Sequence, residues 1–188
     1  MKMTCILCGL LLCGLASAQT VKISDNGKSD YVIVIPDKPA AVLKNAAYEL
    51  AEHLKWVTGT EYKIFEATAR PQGKPAFVIG DAGKAAFPDV DFTTAKADTT
   101  AIRFKDGDVY LNGRMPRGPL YAVYTFLEDY VGIRWWTPTE NFFPAKPTLV
   151  VETKDYLYSP QIVSREPFYR FAVDSKWAPR LKANGHHQ

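Results

Sequence analysis

Residues 101–112 read AIRFKDGDVYLN, and their alternation decides the fold class. Apolar and polar side chains alternate strictly on both sides of Asp106-Gly107, a dipeptide that suits a two-residue hairpin turn because both central positions need positive φ. The stretch is expected to form two antiparallel strands, with Ile102, Phe104, Val109 and Leu111 facing a core and Arg103, Lys105, Asp108 and Tyr110 facing out. Upstream, the β-branched run YVIVI (31–35), closed by Pro36, reads as a buried strand. Pro39 falls where a first helical turn tolerates it, and Leu43, Ala46, Ala47, Leu50, Leu54 and Val57 recur at helical spacing until Gly59. Residues 62–66 and 77–80 read as two more strands, separated by the breaker-rich ARPQGKP. Downstream, Pro119 opens a second helix with Leu120, Val123, Tyr124, Leu127, Tyr130 and Val131 on one face, and Gly132 closes it. Residues 133–136 and 148–151 supply two short strands. A hairpin interrupting strand–helix units predicts an α+β fold, a mixed β-sheet with two main helices packed on one face, rather than a regularly wound parallel sheet.

The first eighteen residues, MKMTCILCGLLLCGLASA, place a lysine before a short apolar run and end on small side chains, the layout of a secretory signal peptide. The run is too short for a membrane span, which takes roughly 20 apolar residues, so a soluble exported protein without a transmembrane segment is expected. Cys5, Cys8 and Cys13 all lie in this leader, so the mature chain has no thiol chemistry; acylation at Cys13, as in a lipoprotein, is the minor alternative. Without Lys2, 22 of the 23 basic residues face 20 acidic ones, and they are scattered. A nucleic-acid partner would call for a clustered basic stripe, and that class is set aside.

Gly113 and Gly118 have the spacing of a phosphate-binding loop, but Pro119 and Leu120 stand where such a loop needs Lys and Ser or Thr. They read as turn glycines, with Arg114 and Arg117 pairing with carboxylates or holding an interface. On a strand, Trp135 and Trp136 would point to opposite faces, leaving one for the core and one for a partner. Glu49 with Glu52, and Glu128 with Asp129, fall on the polar sides of the helices and read as solvation; His53 reads as surface or half-buried. No metal or cofactor site is expected, and His186 and His187 close the chain without a ligand partner at suitable spacing. After Asp155 the periodicity fades and the chain stops without a closing element, as though interrupted.

The succession DYVIVIP, AAYELAEHLKWVTGTEYKI, FVIGD and NGRMPRGPLYAVYTFLEDYVGIRWWTP resembles the small domain ahead of the catalytic barrel in family 67 α-glucuronidases. It is also similar to the comparable domain of family 20 β-hexosaminidases, and above all to large secreted bacterial proteins known only as a domain of unknown function. The resemblance covers about residues 21–155, with its most specific pattern at Pro116–Pro138. Beyond the signal peptide at 1–18, it implies an accessory domain at 20–155 and at 156–188 the incomplete start of a (β/α) barrel that takes about 250 residues. The catalytic carboxylates would belong to that barrel, which would be the intramolecular partner and would bind the carbohydrate substrate. Carried over from the first barrel strand, Arg165 is the expected sugar-binding arginine, with Arg170 as the competing choice. Asn184, Gly185 and His186 would lie in a loop beside the sugar. Arg114, Arg117, Trp135 and Trp136 would serve the domain interface. The rival reading is a complete secreted module that binds carbohydrate or a partner without catalysis.

Overall fold

The computed structural model describes residues 19–167 and 176–184. Its centre is a six-stranded mixed sheet. The strands are β1 Thr20–Ser24, β2 Val32–Ile35, β3 Ile64–Glu66, β4 Ala76–Ile79, β5 Thr100–Lys105, β6 Asp108–Gly113, β7 Arg134–Trp135, β8 Asn141–Phe142, β9 Leu149–Glu152 and β10 Tyr156–Tyr158. In the large sheet the order is β10-β5-β6-β4-β2-β3. β3, β2, β4 and β6 run parallel, and the β5–β6 hairpin and β10 add antiparallel pairs at one side. β1 pairs with β9 and β7 with β8 in two small antiparallel ladders. Among the described residues no set of strands closes into a barrel.

Register explains the core. Ile33 pairs with Phe77, Phe77 with Val109 and Val109 with Phe104, so one row of apolar side chains crosses the sheet on the face beneath the helices. Helix α1, Ala41–Thr58, lays Leu43, Ala46, Ala47, Leu50, Leu54 and Val57 on that face. It begins after extended Ala40, so Pro39 lies just outside it rather than in its first turn. It ends where Gly59 adopts a left-handed φ of 77° and donates its N–H to Lys55 O at 2.8 Å. That conformation is open to glycine at no steric cost.

Helix α2, Gly118–Thr125, departs from the expected amphipathic pattern, for all of its residues are buried. It is covered by α1, by the hairpin and by α3, Trp177–Arg180, which caps it from the C-terminal segment. The helix runs on through Phe126–Val131 in wider π-type turns to Gly132, which has a positive φ of 95°. The Gly113 and Gly118 spacing has a steric origin. A Cβ on Gly113 would sit 2.7 Å from Gly118 Cα and overlap Thr99 O, and one on Gly118 would sit 2.5 Å from the same oxygen. The two glycines let the end of β6 and the start of α2 cross backbone to backbone.

The second sheet face is not solvent. Val32, Val34, Ala76 and Val78 form a small cluster there with Tyr110 and with Ala82 of a 3-10 helix at Gly80–Ala86. Asp108, expected to face out into water, is buried on this side. Arg70 Nη1 and Nη2 donate to its carboxylate at 2.8 and 2.9 Å, and the Ala76 N–H donates at 2.8 Å. The alternation is kept, but the 3-10 helix and Arg70 cover what alternation alone assigns to solvent.

Candidate functional site

Two charged seams join the sheet and its helices to the segment after β10. The first centres on Asp98, just before β5, which is 3% exposed. Arg117 Nε donates to Asp98 Oδ1 at 2.8 Å, while Arg165 Nη2 and Asn184 Nδ2 donate to Oδ2 at 2.8 and 2.9 Å. Burial pushes this carboxyl up, but the hydrogen bonds from Arg117, Arg165 and Asn184 outweigh it and hold the group below its ordinary 3.8. Arg165 and Asn184 are also tied to each other: the Arg165 N–H donates to Asn184 Oδ1 at 2.7 Å and the Asn184 N–H to Arg165 O at 3.1 Å. Arg165 Nε reaches Lys182 O at 2.9 Å. Arg114 braces the same loop, through its side chain on Ala95 O and its N–H on Thr99 O at 2.9 Å.

The second seam centres on Glu49 of α1. Arg180 of α3 donates through Nη2 to Glu49 Oε2 at 3.0 Å, and Tyr124 of α2 donates its hydroxyl to the same oxygen at 3.2 Å. Burial, foremost, and the Glu49 charge raise the Tyr124 phenol, so it stays protonated and can only donate to the carboxylate. His53, one turn along α1, is 0% exposed. Trp135 Nε1 donates to His53 Nε2 at 3.3 Å. An indole can only donate, so Nε2 is the acceptor and Nδ1 carries the proton that goes to Glu49 O at 2.7 Å. The Trp135 carbonyl in turn accepts from Trp177 Nε1 at 3.3 Å, and the Arg180 guanidinium lies 5.9 Å from the Trp135 ring centre. Nearby, Lys182 Nζ donates to Glu128 Oε2 at 2.9 Å.

These contacts correct the reading of the helix acids and of His53. Glu49 and Glu128 bind cations of the C-terminal segment instead of merely solvating their helices, whereas Glu52 is exposed. His53 is a buried hub rather than a surface residue. A signal for it existed: it stands three residues after Leu50 and four before Val57, on the apolar stripe itself. Arg117, Arg165 and Asn184 share one carboxylate, while Arg114 stands beside them on the loop carbonyls. Trp135 is 5% exposed and Trp136 63%, with the Trp136 ring stacked near Phe142 at 6.1 Å and 26°. Arg170, Gly185, His186 and His187 lie outside the described residues. Among the described residues no group of three His, Cys, Asp or Glu side chains is placed to hold a metal. No helix among them is long and apolar enough to cross a membrane.

Neither the known protein families nor the curated proteins contain a match to this chain. Solved structures do. A family GH115 4-O-methyl-α-glucuronidase with specificity for decorated arabinogalactans superposes with a TM-score of 0.53 at 16% identity, over 78% of this chain and 19% of that enzyme. The chain shares its fold with a minor part of that enzyme. A Streptomyces plicatus β-hexosaminidase, solved with its product GlcNAc, has a TM-score of 0.49 at 13% identity, over 79% of this chain and 25% of its own. CpGH84D follows with 0.44 at 15%, over 72% and 21%. The chain thus spans between about a fifth and a quarter of these proteins.

Proposed function

We propose that residues 20–155 are a non-catalytic accessory domain of an exported glycoside-hydrolase-like protein acting in carbohydrate degradation, and that the segment beyond them leads into its catalytic barrel. The observation that carries this reading is the Asp98 seam. A buried carboxylate that gathers Arg117 from the domain and Arg165 and Asn184 from the segment is built to fix one piece of chain against another. Such a cluster is expensive to desolvate and is kept where it sets a unique arrangement. The fold shared with a minor part of a GH115 enzyme supports the same role. In this reading Arg165 and Asn184 position the start of the barrel, and sugar contacts at Arg165 or His186 arise only once the barrel is complete. The test is the mass of the native protein in the exported fraction, detected with an antibody against residues 20–155. A species several times heavier than 21.0 kDa supports the reading, and one just below that mass overturns it.

A second reading is favoured by one observation, the exposed Trp136 ring stacked near Phe142 on the β7–β8 hairpin. Flat exposed aromatic pairs suit the apolar faces of sugar rings. A carbohydrate-binding module would show saturable binding of uronic-acid or N-acetylhexosamine oligosaccharides, weakened by Trp136→Ala. No binding at millimolar sugar removes it.

A further inference from the structure

We infer that His53 makes the docking of the C-terminal segment depend on pH: its neutral ring is the acceptor on which Trp135 rests, and a proton added there releases Trp177 and Arg180. Both ring nitrogens are committed. Nδ1–H donates to Glu49 O, and Nε2 accepts from Trp135 Nε1. Protonation turns Nε2 into a donor facing a donor, an arrangement with no hydrogen bond to offer. The consequence passes along one chain of contacts, since the carbonyl of Trp135 holds the Trp177 indole.

The charges around the ring divide, Glu49 favouring a proton there and Arg180 opposing it. Glu49 Oε2 lies 3.8 Å from His53 Nδ1 but is already the partner of Arg180 and of the Tyr124 hydroxyl. An imidazolium would compete with Arg180 for that carboxylate, and two cations would share one anion in a buried site. The Trp56 and Phe143 rings, 4.9 and 5.7 Å from the His53 ring, bring no charge. Burial is the largest influence on His53 and lowers its pKa below the ordinary 6.5. The Glu49 charge and carbonyl oppose it, and the Arg180 charge adds to it. A docked state that holds the neutral form binds fewer protons than the released state. Docking is therefore complete above about pH 6.5 and weakens as the pH falls from there through the lowered docked-state value. The Asp98 seam contains no group that titrates in this window, so Arg165 and Asn184 stay fastened while α3 lets go.

The experiment is amide hydrogen exchange on the whole chain at about pH 7.5 and about pH 5.5, corrected for intrinsic exchange. The reporters are Leu181 and Ala183, whose N–H groups donate to Ala178 O at 3.1 Å in both cases. Their protection is expected to fall in acid by up to about tenfold, the most that working one pH unit below the ordinary value of the ring allows. His53→Gln, which keeps an acceptor but cannot be protonated, should abolish the fall. If that variant does not fold, Trp135→Phe serves, because a ring without N–H removes the donor clash and shrinks the fall. Equal protection at both pH values overturns the inference. So does an undiminished fall in whichever of the two variants folds.

Discussion

The two seams fasten the same short segment by different chemistry. At Asp98, one carboxylate of fixed charge takes two guanidiniums and an amide. At Glu49, the carboxylate takes one guanidinium and one phenol, and the rest of the contact runs through two indoles and a neutral imidazole. The first seam holds through charge and charge-assisted hydrogen bonds, while the second adds a tautomer and aromatic packing to one ion pair. They should therefore fail under different insults, one when an ion is deleted and the other when a proton is added.

The comparison is broken most severely by Asp98→Asn. The amide keeps the shape but leaves Arg117 and Arg165 without their counter-ion, and stability in urea should drop by ~3–5 kcal/mol, the range for breaking a buried pair. Arg180→Met keeps an apolar stem over Trp135 and deletes only the charge, so the expected loss is ~1–2 kcal/mol, confined to exchange at residues 181–183. Acid separates the seams further. The Asp98 carboxyl lies below its ordinary value when folded, so its contribution is full above about pH 3.8 and fades only as the pH falls through that lower value. A urea midpoint followed against pH should show a first decline below about 6.5 and a second below about 3.8. The smallest effect belongs to Trp136→Ala, which removes an exposed ring and should change stability by no more than ~0.5 kcal/mol.

The hairpin and α1 were legible in the sequence because each has a period, and β2 because its β-branched run is continuous, whereas β1, β8 and α3 carried no such signal and were not anticipated. Alternation around Asp106-Gly107 located β5 and β6, and the spacing from Leu43 to Val57 located α1. Burial on all sides hid the true environment of α2, since a helix covered everywhere has no polar face to read. Asp108 misled because alternation gives the face of the sheet but not what covers that face. The seams were less legible. Asp98 lies in a loop, and its partners stand 19, 67 and 86 residues away. No local pattern pairs residues at such separations; a buried acid and distant arginines meet only after the chain folds. His53 was closer to reach, since its place on the apolar stripe marks it as buried.

The central claim, that the segment is fixed to the sheet domain through Asp98, is tested most directly by a double-mutant cycle between Asp98→Asn and Arg165→Met, read by urea denaturation. The account predicts a coupling of ~2 kcal/mol or more, because each change alone strands the other group. Strictly additive losses would mean that the pair is only a neighbourly contact, and would contradict it.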